Sequence, residues 1–153
     1  MALTVIVDIN TGIPVAILNA TKLTDMRTGA AGAVAAKYLS SKKEIVLGLI
    51  GTGRQAEAQY QAISRELNIL EIRCWSRNSL HAEKFARAIT DHDARGVPVE
   101  NACDCDLLVT TTPSRSPVVR SEWVQDGTHI NAIGADAPGK QELDPILLKR
   151  GLV

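Results

Sequence analysis

The sequence lacks three features that would each point to a class of partner or compartment. Lysine and arginine total 17, as do aspartate and glutamate, so no excess charge attracts the chain to nucleic acid or to an anionic membrane. No apolar run approaches the length of a membrane span. The amino terminus has no basic region followed by an apolar one and a small-residue cleavage site. We therefore expect a cytoplasmic protein that binds neither nucleic acid nor membrane.

Cysteine is also scarce. The chain has an odd number of cysteines, namely Cys74, Cys103 and Cys105. The last two lie too close in sequence for a comfortable disulfide. The segment 103–105 places two potential metal ligands close together, but no further cysteine or histidine pair stands at ligand spacing. We expect neither a disulfide framework nor a bound metal.

The chain is organised around residues 45–56, IVLGLIGTGRQA, an apolar run that breaks into a glycine-containing turn. Such a run is typical of a strand buried on both faces of a parallel sheet. Two glycines then allow a tight turn and close approach of a ligand, and the following helix presents unpaired N–H groups to a pyrophosphate. This pattern predicts the first turn of a dinucleotide-binding βαβ unit; the alternative is a turn that binds nothing. The predicted cofactor-binding residues of the turn are Gly51, Gly53, Arg54, Gln55 and Ala56.

The rest of the chain predicts an α/β fold. Apolar residues make up 45% of the 153 residues, which is enough for one globular core. Helical periodicity follows at residues 55–67 and 79–94. The further predicted strands are residues 69–75, 97–99, 107–112 and 129–133. Parallel crossovers between these elements predict a Rossmann-type, doubly wound, mostly parallel sheet with helices on both faces and strand order 3-2-1-4-5.

Two elements precede the sheet. Residues 3–8 and 14–19 are β-rich runs joined by a turn, which predicts a hairpin. Because two strands alone are marginal in water, we expect the hairpin to rest on the main domain or on a part outside this chain. Residues 22–40 follow with a helical pattern rich in small residues. We expect this helix to be buried, so that its Arg27 needs an anionic partner; the alternative is a solvated arginine.

The end of the second strand bears on the choice of cofactor. An NAD site typically has an aspartate or glutamate about twenty residues past the glycines, whose carboxylate accepts a hydrogen bond from the ribose 2′-OH. Here Ser76, Arg77 and Asn78 supply hydroxyl, guanidinium and amide donors instead, which suit a 2′-phosphate. We therefore favour NADP(H), with NAD(H) possible. The alternative is that Arg77 is a surface arginine before a helix.

Two further groups follow later strands. Thr111 and Thr112 end the run 107–112, where a strand's carboxyl end borders the nucleotide crevice, although such residues are also ordinary turn formers. Asp136 lies just beyond the last strand on a loop bounded by glycine and proline. Doubly wound sheets carry their chemistry at this edge, so Asp136 is a candidate catalytic group, with a turn residue as the alternative.

Three segments resemble the ornithine cyclodeaminase and mu-crystallin family of NAD(P)-dependent enzymes. They are LTDMRTGAAGAVAAKYL at residues 23–39, LIGTGRQA at residues 49–56 and HINAIGADAPGKQEL at residues 129–143. In that family the arginine of the first segment binds the substrate's α-carboxylate, which here implies Arg27. We also predict that the adjacent Thr28 contacts the cofactor. The aspartate of the last segment is the catalytic acid/base, which implies Asp136. Family members with an arginine-containing turn at this position look like NADP(H) users, so the turn Ser76-Arg77-Asn78 implies NADP(H) here.

The resemblance also implies what surrounds this chain. Family members carry a substrate-binding and dimerisation lobe before the hairpin, which provides another arginine and a lysine, and further elements after the position of Val153. Residues 1–20 would then be a hairpin remnant of that lobe and residues 21–153 a Rossmann domain. The implied enzyme is a homodimer that transfers hydride at the Cα of an amino acid or its imine, as a cyclodeaminase, alanine dehydrogenase or ketimine reductase does. A non-catalytic NADP(H)-binding, crystallin-like protein is the alternative.

Overall fold

The computed structural model describes residues 2–152; Met1 and Val153, the outer ends of the two predicted domains, lie outside the described residues. The elements in chain order are β1 (Leu3–Val7), β2 (Pro14–Asn19), α1 (Thr21–Leu39), β3 (Glu44–Ile50), α2 (Arg54–Ile63), β4 (Asn68–Trp75), α3 (Ser79–Ala88), β5 (Ala94–Gly96), α4 (Val99–Cys103), β6 (Leu107–Thr110), β7 (His129–Ala132) and α5 (Pro145–Arg150). A 3₁₀ turn at Ser121–Trp123 separates β6 from β7. None of the helices within residues 2–152 is long and apolar enough to cross a membrane.

Strands β3 to β7 form one parallel sheet in the order β5-β4-β3-β6-β7. Counted from β3 this order is 3-2-1-4-5, which confirms the predicted doubly wound sheet. Ile50 at the end of β3 lies opposite Trp75 of β4 and Thr110 of β6. Because all five strands run the same way, their carboxyl ends share one edge, which we call the carboxyl edge.

Apolar residues are buried on both faces of the sheet. On one face Leu47 and Leu49 of β3 belong to a cluster that includes residues of α1, α2 and α3. On the other face Ile50 and Leu108 belong to a cluster that includes residues of α4 and α5. The alternation within β3 explains why its run is apolar throughout, since successive side chains enter different cores.

Glycines let α1 approach α2 closely. A Cβ atom on Gly29 would lie 2.5 Å from the carbonyl oxygen of Ala58, and one on Gly32 would lie 1.9 Å from Oε1 of Gln59. The small residues on this side of α1 therefore allow α2 to pack closely against it. The prediction that the helix is buried holds for this face alone, because Leu23 on the opposite face is 58% exposed.

Helix α1 runs parallel to α2. Near their amino termini Asp25 is paired with Arg54, and near their carboxyl ends Nζ of Lys37 lies 2.7 Å from Oε2 of Glu66. Because α2 begins directly after β3, its amino terminus lies at the carboxyl edge of the sheet. The first turns of α1 therefore lie at that edge as well.

The predicted third strand was wrong by three residues. Ala94–Gly96 pair with β4, opposite residues 72–74. Of residues 97–99, Val97 extends this pairing by one bond, from its N–H to the carbonyl oxygen of Cys74 at 2.9 Å. Pro98 has no N–H to donate to a strand, and it serves as the N-cap residue of α4. Helix α3 correspondingly ends at Ala88 rather than at residue 94, because the chain turns to extended backbone at Ile89.

The hairpin of β1 and β2 forms as predicted, with Leu3 opposite Asn19. It does not rest on the described domain, because its large apolar side chains stay exposed on both faces. Val5 on one face is 47% exposed, and Leu18 on the other face is 44% exposed. Its base is joined to α1 where the N–H of Ala2 donates to Oγ1 of Thr21 at 3.1 Å. The expectation that the hairpin packs on the main domain was therefore wrong.

Candidate functional site

Gly51 makes the sharp turn that ends β3. Its φ angle is +103°, a backbone conformation that favours glycine. Its N–H donates to the carbonyl oxygen of Trp75 at 2.9 Å, which joins the ends of β3 and β4. A Cβ atom on Gly51 would lie 2.6 Å from Oγ1 of Thr111. Conformation and contact therefore both require glycine here.

Gly53 leaves open space at the start of α2. It is the N-cap residue, it supplies no side-chain cap, and a Cβ atom built on it would meet nothing within 4 Å. The first helical bond is the one from the N–H of Glu57 to the carbonyl oxygen of Gly53, at 3.2 Å. The preceding N–H groups, those of residues 54–56, therefore have no partner within the helix. Open space beside unpaired donors fits a dinucleotide pyrophosphate.

The side chains of Arg54 and Gln55 turn toward α1. The Arg54 guanidinium pairs with the Asp25 carboxylate, and its Nε donates to Oδ2 at 3.1 Å. Nε2 of Gln55 donates to Oδ1 of the same carboxylate at 2.9 Å. These side chains tie α2 to α1, so the main-chain N–H groups are the parts of these residues that face the open space. Ala56 is fully buried, as expected for the small residue that packs the helix on the strand.

The turn after β4 contains the donors that the sequence indicates. Ser76 is half-buried, whereas Arg77 and Asn78 are exposed. Oδ1 of Asn78 accepts from the N–H of Leu80 at 3.0 Å, so this amide also caps α3, a role that the sequence analysis missed. Glu71, further back on β4, is paired with arginines of the sheet and takes no part in this turn.

Thr111 and Thr112 follow β6 at the same edge. The N–H of Thr111 donates to the carbonyl oxygen of Ile50 at 2.8 Å, which joins this turn to the end of β3. The N–H and Oγ1 of Thr112 both donate to Oε1 of Glu142, at 2.5 and 2.7 Å. Both threonines therefore lie beside the glycine turn, and the second is oriented by a carboxylate.

Glu142 is the functional candidate that sequence reasoning missed. It is 1% exposed, and Oε2 of its carboxylate accepts from Oγ1 of Thr110 and from the N–H of Gly134, each at 2.8 Å. Its position inside the segment 129–143 was the one signal available in the sequence. Nothing in the local pattern distinguished it from a surface glutamate.

Asp136 lies on the exposed loop after β7, and its side chain is 68% exposed. Nζ of Lys140 donates to Oδ1 of Asp136 at 2.5 Å. This ion pair lowers the pKa of the Asp136 carboxyl below its usual value. The carboxylate is therefore ionised at neutral pH and has a lower proton affinity than an isolated aspartate.

Arg27 is exposed on α1, so the prediction that it is buried was wrong. The buried small residues of the helix lie on its other side, whereas Ala30 and Ala31 are exposed as Arg27 is. Arg27 makes no ion pair within residues 2–152. The carbonyl oxygen of its neighbour Thr28 accepts from Nε2 of Gln59 at 2.8 Å. Because α1 begins at the carboxyl edge, Arg27 lies toward the same end of the domain as the glycine turn.

The cysteines are structural. Cys74, Cys103 and Cys105 are free and buried, and burial raises the pKa of the Cys74 and Cys103 thiols to about 12. Across residues 2–152, no three histidine, cysteine, aspartate or glutamate side chains cluster in a way that would hold a metal ion.

Comparison with known proteins gives a consistent set of relatives. The sequence profile of the ornithine cyclodeaminase/mu-crystallin family matches residues 1–153. The chain is 50% identical to an alanine dehydrogenase of Archaeoglobus fulgidus over 100% of its own length and 48% of that protein. It is 33% identical to the rat (Rattus norvegicus) ketimine reductase mu-crystallin over 95% of its own length and 47% of that protein. The chain thus spans about half the length of these curated relatives.

Solved structures agree. An archaeal alanine dehydrogenase dimer with bound NAD matches with a TM-score of 0.90 and 50% identity, over 96% of this chain and 47% of that one. The Δ1-pyrroline-2-carboxylate reductase of Thermococcus litoralis, in complex with NADH and L-proline, matches with a TM-score of 0.86 and 36% identity. That match covers 93% of this chain and 46% of the reductase.

Proposed function

The chain belongs to the ornithine cyclodeaminase/mu-crystallin family, and from this premise we propose that it is the nucleotide-binding part of an NAD(P)-dependent oxidoreductase. The reaction is hydride transfer at the Cα of an amino acid or its imine. The observation that carries the proposal is the open space at Gly53 beside the unpaired N–H groups that begin α2. The similar proteins support it, since each is named for an amino acid or an imine.

In this proposal the glycine turn holds the cofactor. The N–H groups of Arg54 and Gln55 bind the pyrophosphate, and the missing side chain of Gly53 leaves room for it. Ala56 is fully buried and packs the start of the helix on the strand. Thr28, Thr111 and Thr112 contact the rest of the nucleotide. The bound nicotinamide supplies the hydride chemistry, while the residues of this chain orient it.

Arg27 and Asp136 act on the substrate. The exposed guanidinium of Arg27 binds the substrate α-carboxylate bidentately, which fixes the Cα–H against the cofactor. Asp136, held ionised by Lys140, moves the proton on the substrate nitrogen. A non-catalytic binder would need neither group, so their joint presence favours the enzyme over a crystallin-like NADP(H)-binding protein.

The turn Ser76-Arg77-Asn78 favours NADP(H) in this proposal. Arg77 is exposed beside the half-buried Ser76, where a guanidinium and a hydroxyl suit a 2′-phosphate. NAD(H) is the alternative, and the NAD and NADH bound by the two solved relatives favour it. The discriminating quantity is the affinity of this chain for the two dinucleotides.

Calorimetric titration of this chain with NADP(H) and with NAD(H) tests the cofactor choice. We expect tighter NADP(H) binding. The Arg77→Ala change should weaken NADP(H) by about 10- to 100-fold, because a charge-assisted hydrogen bond is lost, and should leave NAD(H) unchanged. Arg87→Ala removes another exposed arginine, on α3, and is the control. Tighter NAD(H) binding would overturn the NADP(H) preference. Binding of neither dinucleotide would indicate a structural domain that binds no nucleotide.

Turnover by the full-length protein tests the catalytic role of Asp136. Asp136→Asn should lower kcat by about 100-fold or more, because proton transfer is lost, while cofactor affinity stays within about twofold. Asp126→Asn, at another exposed carboxylate paired with a cation, is the matched control and should keep full activity. Full activity of Asp136→Asn would make Asp136 a turn residue. NADP(H) binding without turnover in the wild type would favour the crystallin-like alternative.

We also propose that the full-length protein is a cytoplasmic homodimer with a small-molecule substrate. The support is the dimer of the solved archaeal relative. Sedimentation velocity on the full-length protein tests this, and a monomer at micromolar concentration would contradict it.

A further inference from the structure

Glu142 is a buried carboxylate that is held by hydrogen bonds alone. It is 1% exposed, and within residues 2–152 no lysine, arginine or histidine forms a salt bridge with it. Fully buried glutamates are usually paired with a cation, because burial of a charge is costly. Here two hydroxyl groups and two main-chain N–H groups donate to the carboxylate instead.

The two oxygens of Glu142 bind different parts of the carboxyl edge. Oε1 accepts from the N–H and Oγ1 of Thr112, in the turn after β6. Oε2 accepts from the N–H of Gly134, in the loop after β7, and from Oγ1 of Thr110. The N–H of Gly134 is shared, since it also donates to the carbonyl oxygen of Thr110 at 3.1 Å. The main chain of Glu142 is fixed as well, since its carbonyl oxygen accepts from the N–H groups of Val118 and Val119 at 2.8 and 3.0 Å.

The two loops also pack tightly against each other. A Cβ atom on Gly134 would lie 2.3 Å from the carbonyl oxygen of Thr112 and 2.7 Å from Cδ of Glu142. Asp136 follows Gly134 by two residues, and its own side chain contacts Lys140 rather than the domain core. Gly134 is therefore the attachment of the β7 loop to the end of β6 that most closely precedes Asp136.

We propose that Glu142 is a positioning residue, which holds the Asp136 loop in register with the Thr111–Thr112 turn by giving one carboxylate oxygen to each. This inference rests on the proposed function, because it takes Asp136 as the proton-transfer group. Glu142 touches neither substrate nor cofactor in this account. It acts through the two loops that do.

A carboxylate is required at this position for a geometric reason. Each oxygen of Glu142 accepts one main-chain N–H, and a main-chain N–H cannot reverse to become an acceptor. In Glu142→Gln the amide NH₂ group must face one of these two donors. One loop therefore loses its bond to this side chain, although the shape and volume of the side chain barely change. If that loop is the one after β7, the N–H of Gly134 keeps only its 3.1 Å bond to the carbonyl oxygen of Thr110. Thr110→Val is the matched control, since it removes one hydroxyl donor and keeps both main-chain bonds.

The experiment compares kcat, KM and thermal stability of the full-length protein carrying either change. We expect Glu142→Gln to lower kcat by about 100-fold, as misplacement of a reacting group by about an ångström does. We expect Thr110→Val to keep kcat within about twofold even where it lowers the Tm, because both loops stay attached. A structural role alone would lower the Tm and leave the kcat of the folded enzyme unchanged. Equal kcat values for the two variants would overturn the proposal.

A second variant covers the case in which Glu142→Gln does not fold. Gly134→Ala keeps the carboxylate but forces the β7 loop away from Thr112, so it should lower kcat by a similar factor. Full kcat in Gly134→Ala would overturn the proposal. Absence of turnover in the wild type would overturn the proposed function and this inference with it. Wild-type turnover that Glu142→Gln does not reduce would overturn this inference alone.

Discussion

The turn after β3 and the loop after β7 lie at one edge of the sheet but are held by different means. The glycine turn is fixed by backbone conformation, with Gly51 at a φ of +103° and its N–H bonded to β4. The start of the β7 loop is bonded to the main chain of Thr110, and the side chain of Glu142 adds a second link from this loop to the end of β6. The first arrangement depends on a missing side chain and the second on a particular charged one. The predictions below separate these two kinds of dependence.

The largest expected effect is that of Gly51→Ala, which breaks the glycine turn. The added Cβ would lie 2.6 Å from Oγ1 of Thr111, at a backbone conformation that L-residues rarely adopt. We expect unfolding free energy to fall by about 1–3 kcal/mol from the backbone strain, with the clash adding to it. Cofactor binding should be lost as well. Urea unfolding followed by calorimetric titration measures both, and a variant as stable as the wild type would contradict the account of the turn.

Gly53→Ala should separate cofactor binding from stability within the same turn. Gly53 has a φ of −91° and a ψ of −173°, which alanine adopts freely, and open space surrounds its Cβ position. We expect stability to be unchanged or raised by about 0.4–1 kcal/mol, because the unfolded chain loses freedom. Dinucleotide affinity should fall by about tenfold or more, since the methyl group fills the space that the pyrophosphate needs. Wild-type affinity in Gly53→Ala would show that this space is not used.

The fold was largely predictable because its main signals are local in sequence. The apolar run before Gly51 and the periodicity after it depend on neighbouring residues, and they gave the correct strand order around β3. The prediction of the third strand was wrong because the strand at residues 94–96 has only three residues and no large apolar side chain. Its pairing with β4, rather than its own sequence pattern, decides its structure. Valines at 97 and 99 resembled a strand more closely than Ala94–Gly96 did.

The residues of the candidate site also fall into those that local sequence patterns predict and those that they do not. The positions of Gly51, Gly53 and Thr111 at the carboxyl edge follow from the order of the strands, which sequence patterns predict. Glu142 was missed because its donors Thr110 and Thr112 lie some thirty positions away in sequence. The exposure of Arg27 was missed because composition shows that a helix has small residues but not which side they occupy. Long-range contacts decide both cases.

The smallest expected effect concerns the Asp136–Lys140 pair, the outermost part of the β7 loop. Lys140 holds the pKa of Asp136 below its usual value, so Lys140→Met should let that pKa rise toward the ordinary one. If Asp136 must be ionised for turnover, the acid limb of the pH profile of kcat/KM should move to higher pH, while the rate at neutral pH changes little. Lys149→Met, on α5, is the control.

The sign of this shift distinguishes a catalytic carboxylate from a structural ion pair. A carboxyl whose folded pKa is lowered adds stability above its unfolded pKa, and this stability is lost as the pH falls through the folded value. A purely structural pair would therefore change acid stability in Lys140→Met and leave the acid limb of kcat/KM where it is. An acid limb that moves in Lys140→Met but not in Lys149→Met would identify Asp136 as the titrating group. The loop that Glu142 holds would then carry the proton-transfer step, while the glycine turn holds the cofactor.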